Sequence, residues 1–137
     1  MANDYGEKEI EASKSKAFEL WPCEYPGTWI HLEHPEFTSI CPRSGYPDFG
    51  TIVVDYIPDK YVVELKAFKL YINSFRNERI SHENVINVIA DKIFNESKPT
   101  SLRIIGDFTR RGGVKMTATV YRGKDQDNWP EYKMNPL

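Results

Sequence analysis

The chain has 137 residues, of which 40% are hydrophobic and 28% charged, and its net charge is −2 at pH 7. This is one domain's worth of polypeptide, with enough apolar residues for a core and no room for a separate cofactor domain. The charge lacks the basic excess that nucleic-acid binding needs, and no apolar run suits a signal peptide or a membrane span, so we expect a cytoplasmic protein that binds neither nucleic acid nor membrane.

The first part of the chain is predicted to be an arm followed by two strands. Residues 1–26 are charged and then interrupted by prolines, which indicates a loose arm. Thr28–Thr38 is rich in aromatic and β-branched residues, and Thr51–Ile57 is the clearest strand in the sequence. Between the two strands we predict a turn-rich loop, Cys41–Asp48.

Two helices are predicted next from apolar residues that recur at helical spacing. In the first helix these residues are Leu65, Phe68, Ile72 and Phe75. A basic stripe lies beside this face, because the residue directly after Leu65, Phe68 and Phe75 is in each case basic: Lys66, Lys69 and Arg76. Such a stripe is most often a solvated surface. Ser81 is placed to cap the second helix. The buried stripe of that helix is predicted to be Val85, Ile86, Ile89 and Ile93.

Two more strands are predicted to follow. Apolar residues along 102–108 alternate with Arg103 and Asp107, and the same alternation runs from Val114 to Tyr121 after a glycine turn. Such alternation is typical of an antiparallel sheet with one face covered.

The order strand, strand, helix, helix, strand, strand predicts an α+β fold, with an antiparallel sheet and both helices on one face. We assign residues 27–122 to this single domain and residues 123–137 to an irregular tail.

Cys41 is the first candidate for chemistry, because it lies in a polar loop of the kind on which scaffolds display reactive groups. The commoner explanation of a cysteine is a small buried apolar residue. Here Arg43 is close enough to favour a thiolate, and Asp48 offers an acid on the same loop, although it could equally be a turn residue. A thiolate beside an acid suits addition to an electrophile that then needs a proton, such as a nitrile or a carbonyl.

The histidines and Glu83 can each be interpreted as structural or as functional residues. His82 and Glu83 begin the second helix, where an acid complements the helix dipole and a histidine is usually just exposed. In the functional interpretation, Glu83 accepts two donors from a guanine-like edge and His82 faces the reacting centre. His31 and His34 lie in a predicted strand without paired cysteines at metal spacing, so we interpret them as structural and predict no metal.

Several ordered motifs resemble the unimodular class of NADPH-dependent 7-cyano-7-deazaguanine reductases. The most specific is ELKAFKLY at Glu64–Tyr71, which is similar to the signature of that family. FTSICP at Phe37–Pro42, the Pro47-Asp48 pair, SFRN at Ser74–Asn77 and the His82-Glu83 pair are also similar. The resemblance runs from about residue 36 to residue 113, over half the chain.

The resemblance implies a tunnelling fold and a role in queuosine biosynthesis, the reduction of 7-cyano-7-deazaguanine to the 7-aminomethyl compound by two NADPH. Cys41 would form a thioimide with the nitrile carbon, and Asp48 would give a proton to its nitrogen. The deazaguanine ring would be held by Glu83 and His82, and by the backbone around Val63, Glu64 and Leu65. Cofactor phosphates would be bound by Lys66, Lys69 and Arg111.

The resemblance also implies a homo-oligomer of pentameric rings, singly or as a decamer, with sites at subunit contacts. Independently, the open edges of a four-stranded sheet favour closure into a shared barrel. Two alternatives stay open: a hydrolase like the zinc-dependent GTP cyclohydrolases, which would need metal ligands, and a non-catalytic purine-binding protein of the same fold. The joint presence of Cys41, Asp48 and Glu83 argues against the second alternative.

Overall fold

The architecture is an antiparallel sheet with two helices, seen in a computed structural model that describes residues 14–137. Its elements in chain order are β1 (Leu20–Pro22), β2 (Ile30–Ile40), β3 (Pro47–Ile57), β4 (Tyr61–Val63), α1 (Leu65–Asn73), a turn of 3-10 helix (Ser74–Asn77), α2 (His82–Ser97), β5 (Ser101–Arg111) and β6 (Val114–Gly123). The four long strands form one sheet in the order β2, β3, β5, β6, and β1 pairs with β4 separately. The predicted α+β class is confirmed.

The core lies between the sheet and the helices. The predicted α2 stripe of Val85, Ile86, Ile89 and Ile93 is fully buried, and each such side chain contributes about 1.5–3 kcal/mol. The hydroxyl of Ser81 accepts the Asn84 N–H, which confirms the predicted N-cap. Gly106 allows α2 to approach β5, because a Cβ there would lie 2.5 Å from Cδ1 of Ile86. Within residues 14–137, neither helix has the length and apolar character needed to cross a membrane.

The predicted apolar face of α1 is exposed at its first residue and buried further along. Leu65 is 63% exposed, and the buried residues of the helix are Phe68, Tyr71 and Ile72. Leu65 stands directly after the N-cap Glu64, where the helix has not yet completed a turn over the core. Leu65 is therefore the exposed first residue of this apolar face.

The loop that carries Cys41 is shorter than predicted. Strand β2 continues to Ile40 and β3 begins at Pro47, so that Asp48 pairs with Ser39 inside the sheet. A proline is tolerated as the first residue of a strand, and the ladder therefore extends past the turn-forming Pro47-Asp48 pair. Asp48 is a strand residue, and the prediction that it lies on the loop is wrong.

Residues before the predicted domain also pack onto it. The predicted arm lies outside the described residues as far as residue 13. Phe18, in the remainder, is 7% exposed, and its ring meets that of Tyr71 edge-on at 5.3 Å. With β1 paired to β4 as well, the described part of the arm is not loose.

The sheet face opposite the helices is partly covered by the C-terminal tail. Arg103 is paired with Asp55 at 2.9 Å and donates to the carbonyl of Pro130 at 2.8 Å. Asp107 accepts from the Tyr132 hydroxyl at 2.5 Å. Arg103 and Asp107 are only 5% and 2% exposed, so β5 is buried on both faces. The predicted one-sided burial is wrong here because the tail supplies a second cover.

Candidate active site

Cys41 and Asp48 lie together at the end of the sheet where β2 turns into β3. Two backbone hydrogen bonds hold this turn: the Cys41 N–H donates to the carbonyl of Tyr46 at 2.8 Å, and the Gly45 N–H donates to the carbonyl of Cys41 at 3.0 Å. Gly45 has a φ of +76°, which favours glycine. The tight turn places the thiol next to the first residues of β3.

The environment of Cys41 favours a thiolate. Its sulfur accepts the N–H of Ser44 at 3.5 Å. Hydrogen bonds from Ser44 and from the backbone of Arg43, with a smaller contribution from the Arg111 guanidinium, lower the pKa of the Cys41 thiol to about 7. A thiol of ordinary pKa, about 8.5, is almost fully protonated at neutral pH. Arg43 thus acts through its backbone, and the nearby guanidinium is that of Arg111.

Asp48 is a buried carboxylate with two basic side chains beside it. It is 4% exposed, accepts a hydrogen bond from Nη1 of Arg111, and lies 3.2 Å from Nε2 of His82 through Oδ2. Nη2 of Arg111 also donates to the hydroxyl of Ser44 at 3.3 Å. The Asp48 carboxylate raises the pKa of Arg111. Arg111, predicted for the cofactor, therefore contacts the predicted catalytic residues.

The ring of His82 is fixed in the same cluster. It stacks on Phe108 with centroids 4.0 Å apart and planes 10° from parallel, and its Nδ1 lies 3.2 Å from the sulfur of Met116. The approach of Nε2 to Asp48 lacks hydrogen-bond geometry, so within residues 14–137 this buried nitrogen has no hydrogen-bond partner. His82 lies beside Asp48, and its role at a reacting centre stays a prediction. Phe108 and Met116 were not predicted, because only long-range packing brings them here.

Glu83 follows His82 in the first turn of α2 and is exposed. Within the described part of the chain, its backbone carbonyl accepts from the side chain of Asn87, and no side-chain partner of its carboxylate is seen. This position suits the helix dipole. It also leaves both carboxylate oxygens open to a ligand beside His82.

The other predicted substrate residues lie at the opposite end of the sheet. Val63 and Glu64, with the exposed Leu65, border an apolar cavity of about 360 Å³ next to Ile30. Ile30 and Ile40 are ten residue steps apart along β2, which corresponds to roughly 30 Å. The carboxylate of Glu64 is engaged as the N-cap of α1, where N–H donors from that helix lower its pKa. One chain does not bring these residues to Cys41.

The predicted cofactor residues are divided in the same way. Lys66 and Lys69 lie about one turn apart on the exposed side of α1, directly after Val63–Leu65. Arg111 lies with Cys41 at the other end. Each end therefore has candidates for both the substrate and the cofactor.

His31 contacts carboxylates, as expected for a structural histidine. Its Nδ1 lies 2.6 Å from Asp55 and its Nε2 2.8 Å from Glu33. Among residues 14–137, no three His, Cys, Asp or Glu side chains form a group that could hold a metal ion.

Comparisons with known proteins identify close relatives. The family model described as QueF-like protein matches residues 47–127. The NADPH-dependent 7-cyano-7-deazaguanine reductase of a Nitratiruptor species is 53% identical over 112 residues, which cover 80% of this chain and 86% of the relative. The enzyme of the same name from Aquifex aeolicus is 48% identical over 127 residues, 91% of this chain and 94% of the relative.

A solved structure shares the fold. The crystal structure of the archaeosine synthase QueF-Like in the apo form superposes with a TM-score of 0.69 and 23% identity, and covers 75% of this chain and 100% of that chain. At this identity the similarity supports the fold alone.

Proposed function

Because the chain belongs to the family of QueF-like proteins, we propose that it reduces the nitrile of 7-cyano-7-deazaguanine with NADPH, through a covalent adduct on Cys41. The observation that carries this proposal is that the buried Asp48 and the turn of the Cys41 thiol are joined by Arg111, which donates to Asp48 and to Ser44, while the Ser44 N–H donates to the sulfur. The relatives are named as reductases, so the cyclohydrolase-like and non-catalytic alternatives are not favoured. The cytoplasmic location stays a prediction.

Cys41 makes the difficult first step easier. A nitrile is a poor hydride acceptor, and covalent addition converts it into an activated C=N. The Cys41 thiolate forms a bond to the nitrile carbon, one π pair moves to the nitrogen, and the nitrogen takes a proton. We assign the Asp48 carboxylate to take up the proton that the Cys41 thiol releases and to donate it to this nitrogen.

The cationic residues fit the charge of the cofactor. NADPH supplies the hydrides for the reduction, and its phosphates need cationic donors. The ammonium groups of Lys66 and Lys69 are exposed on one side of α1, and ammonium is a suitable point charge for a phosphate. We propose that these two lysines, together with Arg111, bind the cofactor phosphates.

Glu83 is proposed to bind the N–H donors of the deazaguanine ring, with His82 beside it. Glu83→Gln replaces one acceptor oxygen by a donor that faces donors. We expect binding to weaken by about 2 kcal/mol or more, roughly thirtyfold. Calorimetric titration of the cofactor-free protein with substrate measures this. Glu131→Gln, at another exposed glutamate, is the control. Unchanged affinity in Glu83→Gln would leave Glu83 with its helix-dipole role only.

The division of the candidates between two ends supports a site shared by two chains. Val63–Leu65 lie roughly 30 Å from Cys41 in one chain, so one deazaguanine ring cannot contact both. We propose that a second copy supplies the Val63–Leu65 end, in closed rings of five or in a decamer of two rings. Light scattering coupled to size exclusion should give a mass several times 15.9 kDa. A fully active monomer at the assay concentration would contradict the shared site.

The direct test of function follows NADPH absorbance with purified protein and 7-cyano-7-deazaguanine. We expect NADPH loss that depends on the substrate, with two NADPH consumed per nitrile and an aminomethyl product identified by mass spectrometry. Omission of the nitrile is the control. NADPH loss that is independent of the nitrile, or no loss at all, would contradict the proposal.

A further inference from the structure

We propose that Arg111 is a positioning residue for the addition step, which ties the Cys41 loop to Asp48 and keeps the sulfur nucleophilic before any cofactor is bound. This inference rests on the proposed function, since that function makes Cys41 the nucleophile. It gives Arg111 a role distinct from contact with cofactor phosphates.

Arg111 contacts both strand β3 and the loop that carries Cys41. Its guanidinium donates to Asp48 on β3 through Nη1. Through Nη2 it donates to the hydroxyl of Ser44 on the loop at 3.3 Å. Ser44 in turn donates its N–H to the sulfur of Cys41, and its hydroxyl accepts the N–H of Tyr46 at 3.2 Å. One side chain therefore connects both sides of the β2–β3 turn that presents the thiol.

The position of Arg111 in the sheet aims it at this turn. The register of β5 with β6 shifts between Phe108 and Arg111, and such irregularities re-aim side chains next to active sites. Arg111 pairs with Val114 directly before the tight turn at Gly112 and Gly113, both of which have positive φ. The hairpin end thus holds the guanidinium over the β2–β3 turn.

Arginine suits this role better than lysine. A guanidinium is a planar fork with several fixed N–H groups, so it can donate to Asp48 and Ser44 together, whereas an ammonium acts as one compact charge. The fork also places positive charge beside Cys41, where it contributes to the lowered pKa of the thiol. The guanidinium therefore both holds the loop in place and favours the negatively charged form of the sulfur.

The pH profile of Cys41 alkylation by iodoacetamide tests the proposal without substrate or cofactor. In this reaction the thiolate forms an S–C bond, the C–I bond breaks, and iodide leaves with its electron pair. The comparison is made in full-length chains that carry Cys23→Ala, so that Cys41 is the only cysteine. The midpoint of the profile is the readout. A rate at a single pH would be ambiguous, because a higher thiol pKa lowers the fraction of thiolate but makes each thiolate more nucleophilic.

We expect the unsubstituted Arg111 chain to show a midpoint near pH 7. Arg111→Gln should move it upward, toward the ordinary thiol value of about 8.5, by less than the full difference, because Ser44 and the backbone of Arg43 still donate to the sulfur. Arg111→Lys keeps the charge but not the fork, and should give an intermediate midpoint. Arg110→Gln removes the same charge from the same hairpin, where the guanidinium contacts the carbonyls of Gly113 and Pro136, and should leave the midpoint unchanged.

Adduct formation with 7-cyano-7-deazaguanine, followed by intact-mass spectrometry without NADPH, is the second readout. Arg111→Gln should form the adduct more slowly at neutral pH and recover as the pH rises. Midpoints and adduct rates equal to those of the unsubstituted chain in both Arg111 variants would overturn the proposal and leave only a cofactor role. A shift in Arg110→Gln as large as that in Arg111→Gln would also overturn it.

The two readouts separate this inference from the proposed function. If the wild-type chain forms no adduct, the proposed function fails, while the alkylation midpoints still report whether Arg111 controls the sulfur. Circular dichroism checks the fold of each variant. Should Arg111→Gln not fold, Arg111→Lys decides by the same midpoint.

Discussion

The Cys41→Ala variant is expected to form no covalent adduct with 7-cyano-7-deazaguanine and to lose essentially all reduction of the nitrile. The thiolate of Cys41 needs no cofactor to add to a nitrile carbon, so the adduct should accumulate in the wild-type protein when NADPH is absent. Intact-mass spectrometry measures it as the mass of the chain plus one substrate. Reduction is followed separately by NADPH absorbance.

Cys23→Ala is the matched control for this experiment. Cys23 follows β1, and its N–H donates to the carbonyl of Lys60, at the end of the sheet opposite Cys41 in the same chain. It should form the adduct like the wild-type protein. An adduct that persists in Cys41→Ala, or that maps to Cys23 by peptide digestion, would rule out Cys41 as the nucleophile.

The second large effect is expected for Asp48→Asn, which should lower turnover roughly a hundred- to ten-thousand-fold, the range that a positioned acid or base supplies. The change hardly alters size, but it removes the group assigned to protonate the nitrile nitrogen. It also removes the carboxylate between Arg111 and His82. Substrate binding should persist, because the ring is assigned to Glu83.

Steady-state kinetics with NADPH and calorimetric titration with substrate measure these two consequences separately. Asp59→Asn, at an exposed aspartate in the bend after β3, is the control and should retain turnover. Near wild-type turnover in Asp48→Asn would show that Asp48 only helps to shape the sheet. A loss of both turnover and binding would instead indicate a collapsed site.

The fold could be predicted where the pattern along the chain is local and strong. The period of the α2 stripe and the cap at Ser81 depend on neighbours within a few residues, and the structure confirms both. Pairing between strands overrode local signals at Asp48, whose turn-forming sequence lies inside β3. Arg103 and Asp107 looked solvent-facing because nothing in β5 itself indicates that the tail covers them.

Members of the candidate site could be named from the sequence, but their arrangement could not. The motifs around Cys41, Asp48 and His82 pointed to the residues that the structure brings together. The contact between Arg111 and Asp48 joins residues 63 apart in sequence, and it depends on the register of β5 with both of its neighbours. No short-range pattern contains that information.

The separation between the Cys41 end and the Val63–Leu65 end has a genetic consequence. If two copies share a site as proposed, each chain contributes one half to each of two sites. In a mixture of wild-type and defective chains, damage at one end alone reduces intact sites in proportion to the wild-type fraction, whereas damage at both ends reduces them with the square of that fraction. Two chains damaged at opposite ends can still restore some intact sites between them. Whether a mutation in this chain is dominant, and which other mutations complement it, would therefore depend on whether it lies at the Cys41 end or at the Val63–Leu65 end.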